Sequence, residues 1–216
     1  MMVNDFLSLF VASAGTSEIP RQFFVFTGLS LLAASVADRV WLLRDDGGTR
    51  IYPNLYVFLI GPSGSGKERA ITMAARLADC LPSVGLFAST GITKQYLIDH
   101  LGRSPRLGMD DEPSVLYLVT EELGMSIPSK ELGKELVKFM TGHYIQSGLP
   151  MTEGTRTHGP KVVTSPCLNW FAGTTDEWLT DAVEKDAILS GFFARVLGVR
   201  GRRSGTVRHA DITYPA

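Results

Sequence analysis

Leu55-Tyr56-Val57-Phe58-Leu59-Ile60 runs without a break into Gly61-Pro62-Ser63-Gly64-Ser65-Gly66-Lys67-Glu68, and this junction decides the architecture. A continuous apolar run of this length suits a strand covered on both faces. The glycines allow backbone N–H groups to turn inward, and the alanine-rich stretch that follows, to about Cys80, reads as a helix. A strand, loop and helix in this order offers N–H groups and the positive end of a helix dipole to anionic oxygens. Lys67 adds a mobile point charge. Gly61, Pro62, Ser63, Gly64, Ser65, Gly66, Lys67 and Glu68 are therefore the candidate phosphate-binding residues. A glycine-rich turn that binds nothing is the alternative, and a lysine directly after Gly66 argues against it.

Outward from this junction the pattern alternates. Strand-like runs at 84–89, 115–119, 168–172 and 196–199 are separated by helical patterns. One is the segment capped by Thr93 with Leu97, Ile98 and Leu101, and another starts near Lys130 and carries Leu132, Leu136, Phe139, Met140 and His143. A third covers Trp178 to Val183. Strands alternating with helices predict an α/β fold with a mostly parallel sheet, five-stranded on this count. Before the sheet, Pro20 opens a helix to about Ala37 that is apolar nearly all round and belongs inside the protein or against a neighbouring subunit. The organisation expected is an N-terminal helical annex (1–50), a core (51–200) with a hairpin at 151–165 turning at His158-Gly159-Pro160, and a basic C-terminal tail (201–216).

Composition narrows the classes. The chain has 216 residues, 44% of them hydrophobic and 20% charged, with a formal net charge of −1, so it is neither disordered nor driven globally toward nucleic acid. The apolar stretch from Phe23 to Ala37 is shorter than the roughly 20 residues a membrane span needs. Cys80 and Cys167 form no disulfide framework and have no metal-ligand spacing, which points to an intracellular, cytoplasmic chain with no membrane association. Arg195, Arg200, Arg202, Arg203 and Arg208 crowd the C-terminal end, where a solvated tail is the simplest account.

A phosphate loop that does chemistry needs an acid on a nearby strand. The run Tyr117-Leu118-Val119-Thr120-Glu121-Glu122 delivers two carboxylates at a strand's C-terminal end, the edge where ligands bind in such sheets. Glu122 is the candidate general base and Glu121 the candidate metal-side carboxylate; the two roles are exchangeable on sequence alone. The competing account is a pair of acids favoured at a helix start. Asp110-Asp111-Glu112 is a second acidic cluster, read as solvated loop. The residue after the lysine is normally Ser or Thr, whose hydroxyl ligates Mg²⁺; Glu68 stands there instead, as a second candidate metal ligand that also brings negative charge beside a triphosphate. In Gly173-Thr174-Thr175, Thr174 is the candidate sensor of a terminal phosphate, while Thr175 suits a helix cap. Arg195 stands at a strand entry, opposite the phosphate edge, where it reaches a neighbouring subunit's nucleotide more readily than its own.

The blocks Ile51-Tyr52-Pro53-Asn54-Leu55-Tyr56-Val57, Gly91-Ile92-Thr93, Glu121-Glu122-Leu123, Gly173-Thr174-Thr175-Asp176-Glu177-Trp178-Leu179 and Gly191-Phe192-Phe193-Ala194-Arg195 together resemble phage and plasmid helicase-type P-loop ATPases of the DUF3987 type. The resemblance spans roughly 18–200 and implies a P-loop NTPase core of ASCE/AAA+ or RecA-like strand order. It further implies ATP and Mg²⁺ as cofactors, a homo-oligomeric ring with Arg195 acting in trans, single-stranded DNA as a partner, and a place among replication proteins. Within it, the 151–165 segment corresponds to a pore hairpin, with Arg156, His158 and Lys161 as candidate DNA-binding residues. An ordinary solvated hairpin is the alternative. Two further readings of the whole chain stand beside the ATPase: a non-hydrolysing nucleotide-dependent ring or adaptor, and a phosphotransferase like the nucleoside monophosphate kinases.

Overall fold

Each strand-like run singled out above contributes a strand to one parallel sheet. The computed structural model describes residues 5–14, 18–44, 50–80, 85–88, 91–101, 115–126, 130–144, 151–155, 159–163, 166–185 and 191–203. In chain order the elements open with α1 (Phe6–Ser13), α2 (Arg21–Val36), β1 (Leu42–Leu43), β2 (Arg50–Ile51), β3 (Tyr56–Ile60), α3 (Lys67–Ala78), β4 (Gly85–Ala88) and α4 (Lys94–Leu101). There follow β5 (Val115–Thr120), α5 (Leu123–Ser126), α6 (Lys130–Gly142), β6 (Met151–Thr155), β7 (Gly159–Val163), β8 (Cys167–Thr174), α7 (Asp176–Lys185) and β9 (Val196–Arg200). The sheet order is β4-β5-β8-β3-β9, and every neighbouring pair is parallel. All five C-terminal ends therefore lie along one edge, called here the exit edge.

Side chains alternate across the sheet as the period of two demands. Val57 and Leu59, Val115, Tyr117 and Val119, Cys167 and Phe171, and Val199 face α2 and α3. Tyr56 and Phe58, Leu116 and Leu118, and Leu168, Trp170 and Ala172 face α4, α6 and Phe192. Being covered on both faces is why the central strands read as unbroken apolar runs. Trp170, fully buried, meets Phe58 edge-on at 5.3 Å between centroids, and its indole N–H donates to the Thr120 hydroxyl at 3.2 Å.

The apolar helix α2 lies on the sheet beside α3 and shares its core. Its buried polar groups find partners: the Thr27 hydroxyl donates to Phe23 O at 2.6 Å, and the Ser30 hydroxyl donates to the Tyr117 hydroxyl at 3.0 Å. Burial pushes the Tyr117 hydroxyl pKa well up, so it stays protonated. The predicted hairpin forms as β6 and β7, antiparallel, with Thr155 opposite Gly159. Gly159 and Pro160 thus belong to the second strand and not to the turn, while Arg156 and His158 lie outside the described residues. The same holds for the Asp110-Asp111-Glu112 cluster and for the tail beyond residue 203. Among the described residues no helix is long and apolar enough to cross a membrane.

Candidate functional site

Strand β3 carries the chain to the exit edge and releases it at Gly61, where the backbone is tied on both sides. Gly61 N donates to Thr174 O of β8 at 3.2 Å, and Gly201 N, just past β9, donates to Ile60 O at 2.9 Å. Ser65 N closes a turn onto Pro62 O at 3.2 Å. The loop then enters α3 through Gly66 at φ +90°, a conformation that an L side chain resists. A Cβ at Gly66 would also collide with the Ile19 side chain, so the segment before α2 packs directly on the loop.

Lys67, the first residue of α3, is buried, and its ammonium donates to Gly61 O at 2.5 Å and Pro62 O at 3.1 Å. The lysine is folded back onto the loop's own carbonyls. Ser65 and Thr174 are buried there too, and both side-chain oxygens lack a hydrogen-bond partner. An orphaned buried hydroxyl carries a desolvation cost of about 1–3 kcal/mol. Two of them at one loop fit a ligand rich in oxygen acceptors.

The acidic pair arrives from β5, separated from β3 only by β8. Gly173 makes that approach possible: a Cβ there would strike the Glu121 carbonyl oxygen and come within 2.9 Å of Ile71 Cδ1. The Glu121 side chain is exposed, while Glu122 is half-buried. Burial raises the Glu122 pKa above the ordinary carboxylate value; Lys67 pulls it down and Glu68 pushes it up again. Lys67 and Glu68 therefore both act electrostatically on Glu122. Glu68 sits exposed in the first turn of α3. Among the described residues no group of three or more His, Cys, Asp or Glu side chains forms a metal cluster. A divalent ion here would rest on one or two carboxylates and the ligand's own phosphates, as Mg²⁺ commonly does.

Arg195 lies at the other end of the sheet. Val196 is in register with Tyr56 and Arg200 with Ile60, so Arg195 stands roughly 16 Å from the loop, by strand rise. Its positive charge acts on Tyr56 and Tyr144, and its guanidinium donates to Gly191 O. Thr175 caps α7 through its hydroxyl, which accepts from Trp178 N at 3.3 Å. This leaves Thr174 to face the loop. Lys161 is in β7, opposite Glu153.

Sequence reasoning did not anticipate Ile19 on the loop or the position of Arg200. β9 extends one residue past the predicted Val199, which brings Arg200 level with Ile60, and the Arg200 Nε lies 2.9 Å from Asp176 Oδ1. The apolar-strand signal stops at Val199, whereas the hydrogen-bonded ladder continues through the arginine's backbone.

No family model matches the chain, and no curated protein matches it. Fold and geometry define an α/β protein with a parallel sheet whose exit edge gathers a glycine-rich loop, a buried lysine, two unpartnered hydroxyls and a half-buried carboxylate.

Proposed function

We propose that the chain is an oligomeric P-loop ATPase that acts on DNA in the replication of a phage or mobile element, as a helicase-like motor. The observation that carries this reading is the meeting of Lys67, Glu122 and the unpartnered Thr174 hydroxyl around one glycine-rich loop. The strand order supports an ASCE-type core, with β8 standing between the loop strand β3 and the carboxylate strand β5.

The loop amides and Lys67 hold the β and γ phosphates, Lys67 exchanging the Gly61 and Pro62 carbonyls for phosphate oxygens. Glu122 accepts a proton from the attacking water as its oxygen bonds to the γ phosphorus. The bond to the bridging oxygen breaks, and ADP leaves with that electron pair. A raised proton affinity makes Glu122 a better base than an ordinary surface carboxylate. Thr174 orients the water or the γ-phosphate. Magnesium, when bound, neutralises phosphate charge, and Glu121 and Glu68 are the carboxylates that would hold it.

Arg195, remote from its own loop, completes a neighbour's site in a ring. Exposed apolar residues support self-assembly: Trp41, Leu42, Leu43 and Ile51 lie on the β1–β2 ribbon that leads into the entry end of β3, where Arg195 also sits. Arg156, His158 and Lys161 of the hairpin would contact single-stranded DNA. Glu68, exposed where the motif calls for a hydroxyl, favours a second reading, a nucleotide-dependent ring or adaptor that does not hydrolyse.

ATP hydrolysis with Mg²⁺, with and without single-stranded DNA, separates the two. The ATPase reading expects DNA-stimulated turnover that is lost in Lys67→Ala and in Arg195→Ala, and partly restored when the two variants are mixed. Nucleotide binding without turnover supports the adaptor. Mixing that restores nothing contradicts an arginine acting in trans.

A further inference from the structure

Resting on the nucleotide-site reading above, we propose that Arg200 is a second phosphate-contacting cation, held beside the loop by Asp176 until a polyphosphate displaces it. Strands β8 and β9 flank β3 on its two sides, and both Thr174 and Arg200 are in register with Ile60. Asp176 begins α7 two residues after Thr174, so the 2.9 Å contact from Arg200 to Asp176 spans the exit end of the loop strand from one flank to the other. The backbone of this arginine is fixed beside the loop. Its carbonyl accepts from the Gln22 amide at 3.1 Å, and the next residue, Gly201, bonds Ile60 O at 2.9 Å. Its side chain is the movable part.

The balance of interactions favours transfer. The Arg200 and Asp176 side chains are 75% and 48% exposed, and an ion pair so solvated contributes little to stability. A guanidinium on phosphate oxygens makes shorter, paired, charge-assisted bonds. Lys67 is buried and projects from the first residue of α3, whereas Arg200 is exposed and projects from the last residue of β9, so the two cations come to the loop from different elements. Release of Asp176 would also couple nucleotide occupancy to the start of α7. A purely structural clasp predicts something else: loss of either partner would have the same consequence.

Equilibrium binding of Mg·ATP, with thermal unfolding of the nucleotide-free protein alongside, tests this in the unaltered chain, Lys67→Ala, Arg200→Gln, Arg200→Lys, Asp176→Asn and the Arg200→Gln/Asp176→Asn pair. Arg200→Gln is expected to weaken ATP about tenfold, the scale of one charge-assisted contact. Arg200→Lys should retain part of that affinity. Asp176→Asn should tighten ATP severalfold by freeing the arginine, and the double variant should bind like Arg200→Gln. Affinity unchanged in Arg200→Gln, or shifted in the same direction by Arg200→Gln and Asp176→Asn, overturns the proposal while leaving the loop intact if Lys67→Ala still weakens binding at least about tenfold. An unaltered chain that binds no ATP overturns the nucleotide-site reading itself, and this proposal with it.

Discussion

Gly173→Ala moves the carboxylates without touching them, which makes it a stringent check on the geometry of the site. The new methyl would collide with the Glu121 carbonyl and stand 2.9 Å from Ile71 Cδ1. The first neighbour is backbone, so relief requires the end of β5 to shift away from β8, carrying Glu121 and Glu122 with it. Overpacking of this kind costs about 1–3 kcal/mol. For a chain of this size that corresponds to a fall in Tm of about 2–12 °C, read by calorimetry. A displacement of about 1 Å at reacting groups costs roughly a hundredfold in rate, so ATP turnover should drop far more than stability does. Adding Ile71→Val removes the Cδ1 contact but not the carbonyl contact, so stability should recover only in part, and turnover hardly at all. A Gly173→Ala protein with unaltered Tm and unaltered turnover would refute the reasoning.

Three further outcomes follow from the same site. Glu68→Ser removes a negative charge beside the phosphates and restores a hydroxyl ligand, so ATP should bind more tightly or turn over faster; an unchanged affinity and rate would remove Glu68 as an impairment. Because the folded-state Glu122 pKa is raised, the apo protein binds this proton more readily than the unfolded chain, and the Glu122 contribution to stability declines as pH rises through the two values. The acid limb of the turnover profile should accordingly lie above the ordinary glutamate value and move lower in Glu68→Gln. Replacing Arg156, His158 and Lys161 together by alanine should weaken single-stranded DNA binding and reduce its log–log salt slope by about 1.4, for the two permanent cations. An unaltered slope would discard the hairpin as a DNA contact.

The parallel sheet was legible because each strand is covered on both faces and therefore written as an apolar run, from Leu55–Ile60 to Val196–Val199. The strand–loop–helix junction was legible because three glycines and a lysine stand between an apolar run and an alanine-rich helical stretch. Glu122 beside Lys67 was an inference from strand ends, and it agrees with the geometry because β5 and β3 point the same way with one strand between them. Contacts made across long sequence separations were not legible. Ile19 on Gly66 depends on how α2 docks against α3, which no local pattern encodes. Arg200 was read as the start of a solvated tail because a strand's last residue, exposed on an edge strand, has no apolar signature.

The central claim is that Gly61–Lys67 holds nucleotide phosphates, and equilibrium binding of Mg·ATP and Mg·ADP to the folded chain tests it most directly. The account predicts that both bind, and that Lys67→Ala, still folded by circular dichroism, loses at least about tenfold in affinity. A folded, unaltered chain that binds neither nucleotide, or a Lys67→Ala variant that binds them as tightly, would contradict it.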